Sequence, residues 1–177
     1  MKKLLFSLLL IQASFTTAFA FEGDAAAGKA KAAMCAACHG ANGIGTTDTY
    51  PNLAGQHASY IAKQLQAFKD GSRKDPVMAP MAMGLSDQDM KDLGAYFQNI
   101  ASEAAGGDAA TGTTAVAAGP VFEADPAIGK SLFELGDDSR AIPACIGCHG
   151  KDGNSEVLIY PNLADQHPEY IEKQLRA

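Results

Sequence analysis

The sequence predicts an all-α protein built as two tandem units, the second incomplete. Three observations carry that reading. Residues 35–67 align with residues 145–177 at a constant offset of 110, without a gap, and 18 of the 33 positions are identical. Segments that open on capping residues carry apolar side chains three and four apart. No stretch alternates convincingly as a strand.

Residues 1–20 read as a secretory signal: Lys2 and Lys3 form the charged start, "LLFSLLLI" the apolar stretch, and Ala18-Phe19-Ala20 a small-residue cleavage site. Gln12, Ser14, Thr16 and Thr17 interrupt the stretch too early for it to span a bilayer. The mature chain is expected to begin at Phe21 and to work outside the cytoplasm, most simply in a bacterial periplasm.

The first unit, residues 21–100, contains three expected helices. Asp24 caps one running through "AAAGKAKAAM"; a second, from about His57 to Lys69, buries Ile61, Leu65 and Phe68 and stops at Gly71. Ser86 with Asp89 opens a third, along which Met90, Leu93, Phe97 and Ile100 share a face. On the same periodicity Met34 and Met90 are expected in the core. Residues 101–120 are small, weakly polar and aperiodic, and read as a flexible linker. The second unit, residues 121–177, has nine more residues than the first between its Gly-Lys pair and its cysteines, an insertion expected as a surface loop. It stops at Ala177, the equivalent of Ala67, so by analogy with the first copy about forty further residues are expected and the unit reads as truncated.

Composition narrows function. The formal charge of -6, or -8 without Lys2 and Lys3, speaks against nucleic acid and for a partner with a basic docking patch. Hydrophobic residues make up 47% of the chain but aromatics only 7%, so the polypeptide's own core is thin and a large apolar cofactor would help to fill it.

The chemistry sits in "CAACHG" and "CIGCHG". C-x-x-C-H is the signature of covalent c-type haem attachment: Cys35 and Cys38, like Cys145 and Cys148, lie one helical turn apart and can form thioethers with two vinyl groups of one porphyrin. His39 and His149 then follow directly beneath the iron. A redox disulfide would need a βαβ context, and a four-ligand zinc site would need both copies to collaborate across the linker.

"CAACHG", "YPNLAGQH", "YIAKQL" and "MAPMAMGLSDQDMKDLGAYF" closely resemble the dihaem class I cytochromes c of the cytochrome c4 family, over the whole mature chain except the linker and the missing end. The resemblance implies two class I cytochrome c folds, each holding one covalent haem c (heme c), with His39 and His149 as proximal iron ligands. It makes the carbonyls of Pro51 and Pro161 acceptors for the other ring nitrogen of those histidines. Among Met78, Met81 and Met83 it favours Met78 as sixth ligand of the first haem, leaving the other two to pack in a loop over the haem edge. It also has Gly28 and Gly129 let the first helix of each unit cross the last closely, against Tyr96 and Phe97 in the first copy. Copy two has no methionine at all. Its haem can be attached but not completed, so either the sequence is a fragment or the second iron keeps an open or unusual ligand. His57 and His167 recur at equivalent places and are expected to share a structural task, His167 serving as a ligand only to an iron left vacant.

The function so implied is a periplasmic dihaem electron carrier, not an enzyme, accepting electrons from a quinol-oxidising complex (a quinol-cytochrome c reductase) and passing them to a terminal oxidase. Membrane association would come only loosely, through those partners. The alternatives are the dihaem subunit of a larger dehydrogenase, such as a flavocytochrome sulfide dehydrogenase, and a dihaem peroxidase, which requires one open iron.

Overall fold

A computed structural model describes residues 21–105 and 125–177. The expected signal peptide and residues 106–120 of the expected linker lie outside them. The architecture is all-α, and the only extended pairing among the described residues is a single antiparallel bridge between Asp137 and Ile142.

Asp24 starts α1 (Ala25–Lys31) by accepting the backbone N–H groups of Ala26 and Ala27 at 2.8 and 3.2 Å. The chain then tightens into a 3₁₀ turn, Ala32–Met34. This tightening corrects the expectation for Met34: it leaves the 3.6-residue stripe that buries Gly28 and Ala32, and Met34 is 56% exposed. Met90, at 2%, is in the core. A short helix, α2 (Ala36–His39), carries the first cysteine pair.

α3 (Ala58–Asp70) ends at Gly71, whose φ of 79° is the left-handed cap that glycine adopts without strain. The methionine segment, expected as a loop, forms α4 (Met78–Met83) because Asp75 accepts the N–H groups of Val77 and Met78 at its start. α5 (Asp87–Ala105) opens on a reciprocal capping box, Ser86 N–H to Asp89 Oδ2 at 2.9 Å and Asp89 N–H to Ser86 Oγ at 3.1 Å, and runs five residues into the range expected as linker.

Both α1 and α3 pack on α5. Backbones nearly touch at the crossings: a Cβ on Gly28 would overlap the Asp92 carbonyl and lie 2.9 Å from Tyr96 Cβ, and one on Gly94 would overlap the Ala58 carbonyl. Lys31 fastens the α1 crossing through Asp89 at 3.1 Å and Asp92 at 3.2 Å, the latter also accepting Asp24 N–H. Ala32, Ile61, Leu93 and Phe97 form the buried centre, and Cys35 and Leu53 pack against it, so the cysteine turn is seated on the core.

In the second unit, Asp125 caps α6 (Pro126–Leu135) with Pro126 in its first turn. The insertion follows as a surface loop with a 3₁₀ turn at Asp138–Arg140. α7 (Ile146–His149) repeats α2, and α8 (Pro168–Arg176) repeats the start of α3. Among the described residues, nothing outside the neighbouring turns of α6 lies within 4 Å of where a Gly129 Cβ would stand.

The two copies clasp each other through their shared P-N-L-A-x-Q-H run. Gln166 Oε1 accepts Asn52 N–H at 2.9 Å while its Nε2 donates to Asn52 O at 3.1 Å; Gln56 makes the same pair with Asn162 at 2.9 and 3.0 Å. Asn52 Nδ2 donates to Asp165 O at 2.7 Å, and Asn162 Nδ2 to Gly55 O at 2.9 Å. Those carbonyls turn toward the partner unit because Gly55 and Asp165 both take left-handed backbone, with φ of 71° and 58°. The interface is a local two-fold built from a duplicated motif.

Candidate functional site

Each C-x-x-C-H turn is a one-turn helix stopped by a glycine that must be left-handed. Gly40 and Gly150 have φ of 73° and 78°, and a Cβ at either would overlap a carbonyl, that of Ile44 or of Asn154. The chain reverses three residues later. Gly43 O accepts the N–H groups of Leu53 and Ala54, and Gly153 O those of Leu163 and Ala164, which folds the Pro-Asn-Leu segment back over the turn.

That fold-back places a carbonyl on each histidine. His39 Nδ1–H donates to Pro51 O at 2.9 Å and His149 Nδ1–H to Pro161 O at 2.9 Å. A carbonyl can only accept, so each ring carries its proton on Nδ1 and keeps its lone pair on Nε2, the form that binds a metal. Burial holds His39 below the usual imidazole range, against the opposing pull of the Pro51 bond, so the ring stays neutral and available as a ligand. Tyr50 stands edge-on to the His39 ring and Tyr160 tilted against the His149 ring, with centroids 6.2 and 6.1 Å away.

Burial pushes the Cys35 thiol up, as befits a sulfur seated on the core. None of the four cysteines is disulfide-bonded, and among the described residues no group of three or more His, Cys, Asp or Glu converges. Two cysteines one turn apart, followed by an oriented imidazole, fit a covalently held haem. Met78 is half-buried at the start of α4, whereas Met81 and Met83 are 36% and 69% exposed.

His57 and His167 stand away from this chemistry, before the first turns of α3 and α8, and reach equivalent points of the opposite copy. His57 Nε2–H donates to Ser155 O at 2.8 Å. His167 meets Gly45, the equivalent of Ser155; its Nδ1 is 3.3 Å from Asp48, and its buried Nε2 has no hydrogen-bond partner among the described residues. Both serve the domain contact.

Motif reading passed over the groups that hold the frame. Asn52 Oδ1 accepts Gly45 N–H at 2.7 Å and Asn162 Oδ1 accepts Ser155 N–H at 2.9 Å, while Thr46 and Ser155 hydroxyls donate to the Cys38 and Cys148 carbonyls at 3.0 and 2.7 Å. For Asn52 and Asn162 the available signal was their identity in both copies.

The profile of the cytochrome c family matches residues 25–101. Cytochrome c4 of Pseudomonas aeruginosa is 42% identical over 99% of this chain and 80% of its own length. A protein of Thiomonas intermedia named as thiosulfate dehydrogenase electron acceptor is 37% identical over 86% of this chain and 65% of its own. Among solved structures, reduced cytochrome c4 from Pseudomonas stutzeri superposes with a TM-score of 0.69 at 39% identity, covering 88% of this chain and 80% of that one.

Proposed function

The chain belongs to the cytochrome c4 family, dihaem class I cytochromes c that carry electrons, and from that membership we propose that it works in the periplasm between a quinol-oxidising complex and a terminal oxidase. Cytochrome c4 carries two covalent c-type haems, and both attachment motifs are present. Each haem, when bound, supplies a one-electron ferric–ferrous couple.

The chain's residues do the rest. Cys35 and Cys38 tether the first haem, Cys145 and Cys148 the second. His39 and His149 present Nε2 to the irons, held in that orientation by Pro51 and Pro161. Met78 would supply the sixth, thioether ligand to the first haem; a thioether stabilises ferrous iron and raises the potential, which suits a carrier late in a respiratory chain. The acidic surface, with a formal charge of -6, steers docking to basic patches on redox partners. The observation that supports this reading best is the histidine–proline contact, present in both copies at the same 2.9 Å.

A second reading, acceptor for thiosulfate dehydrogenase, is favoured by the name of the Thiomonas intermedia relative. Stopped-flow reduction of the holoprotein separates the two. Rapid reduction by a quinol-cytochrome c reductase and rapid oxidation by a terminal oxidase are expected; reduction by thiosulfate dehydrogenase alone overturns the first reading. A purified protein weighing no more than its polypeptide, without visible absorption, would sink both.

A further inference from the structure

The segment between α3 and α4 is held from two sides. Asp75 divides its carboxylate: Oδ1 accepts Val77 N–H at 2.9 Å and Met78 N–H at 3.0 Å, while Oδ2 is 3.4 Å from Lys173 Nζ on α8 of the second unit. Two residues earlier, Arg73 lies on the local two-fold. Its Nη1 donates to Gln64 at 2.6 Å and its Nη2 to Gln174 at 2.5 Å, and these glutamines are equivalent positions of the two copies. Nη2 also reaches the Tyr170 hydroxyl at 2.8 Å, and the guanidinium lies 4.6 Å over the Phe68 ring.

The backbone that starts Met78 is therefore fastened to both domains at once. Between α3 and Met78 stand only seven residues, 71–77, and two of them, Arg73 and Asp75, grip α8. We propose that α8 of the second unit fixes the sixth-ligand segment of the first, with Asp75 and Arg73 as positioning residues that make the iron–Met78 bond depend on the domain contact. This rests on Met78 being that ligand. Releasing α8 leaves the local cap on Met78 but frees the loop, so the thioether leaves the iron more often and the first haem's potential falls.

The test uses the full-length holoprotein. Its readouts are the far-red sulfur-to-iron charge-transfer band, the upfield-shifted methyl resonance of iron-bound methionine in the ferrous protein, the potential of the first haem, and the rate at which imidazole captures its ferric iron. Lys173→Gln and Tyr170→Phe each remove one cross-domain contact without touching the first unit. Both should keep the band and resonance, lower the potential and raise the capture rate about two- to fivefold, as expected for contacts of this kind near the surface. Lys173→Arg should restore the wild-type rate, and Asp75→Ala, which also removes the cap, should exceed either.

Wild-type capture rates in Lys173→Gln and Tyr170→Phe, or a Lys173→Arg protein as labile as Lys173→Gln, would overturn the proposal. The ligand reading is tested separately by Met78→Ala: it should abolish the first haem's methyl resonance, and a resonance that survives refutes Met78 as ligand whatever the α8 variants do.

Discussion

Gly28 and Gly129 occupy the same place in the repeat and meet opposite surroundings. At Gly28 an added methyl would overlap the Asp92 carbonyl of α5, so Gly28→Ala forces two helices apart and should cost about 1–3 kcal/mol, as overpacking does. At Gly129, among the described residues, nothing outside the neighbouring turns of its own helix lies within 4 Å of an added Cβ, and the residue sits inside the exposed helix α6. There Gly129→Ala should stabilise by about 0.5–1 kcal/mol, the helix propensity difference alone. Urea titrations of the two variants in this chain check both signs; equal losses at the two sites would mean that the α1–α5 contact is not what constrains Gly28.

At the scale of the element, α5 organises the first unit, and its start is a pH-sensitive joint. Asp89 is held down to about 2 by hydrogen bonds from the Ser86 hydroxyl and backbone N–H, then by the Lys31 ammonium. The folded value lies below the unfolded value of about 3.9, so the contribution is complete above about pH 4 and disappears as pH falls toward about 2. Asp89→Asn should therefore lower stability at neutral pH and flatten the loss between pH 4 and 2; denaturation curves with unchanged slope in that window would refute the assignment. Such caps were legible beforehand because all their parts are adjacent in sequence: Asp24 for α1, Ser86 with Asp89 for α5, Gly71 for the end of α3. Periodicity misplaced Met34 because a 3₁₀ turn advances 120° per residue, not 100°, and it left α4 unseen because the capping carboxylate of Asp75 is followed by two prolines, Pro76 and Pro80, among three methionines. The cysteine turns and their histidines were read from spacing alone, whereas the hydroxyls and amides that orient the turns act through backbone groups that no motif encodes.

At the scale of the whole molecule, duplication explains why the clasp exists and why it was invisible. One motif, P-N-L-A-x-Q-H, folds its proline back on the histidine of the C-x-x-C-H turn in the same copy, His39 or His149, and turns its asparagine and glutamine outward, so the second copy arrives already complementary to the first. Asn52 and Gln56 recur in both copies, but that each bonds the other copy, more than 100 residues away, depends on a three-dimensional two-fold that no local pattern contains. Each glutamine satisfies both a backbone N–H and a backbone C=O of the opposite asparagine. Gln56→Ala or Gln166→Ala strands two partly buried polar groups and should weaken the closed arrangement by about 1–3 kcal/mol. The covalent connection opposes full separation, because a tethered partner is present at an effective concentration of roughly millimolar. One variant alone should thus stay mostly closed. The double variant removes both arms of a single shared interface, where losses do not simply add, and should populate an opened form with a larger radius of gyration in small-angle scattering. If the double variant keeps the wild-type dimensions, the glutamine–asparagine pairs are not what joins the domains, and the remaining contacts, those of His57, His167, Arg73 and Lys173 among them, hold the joint.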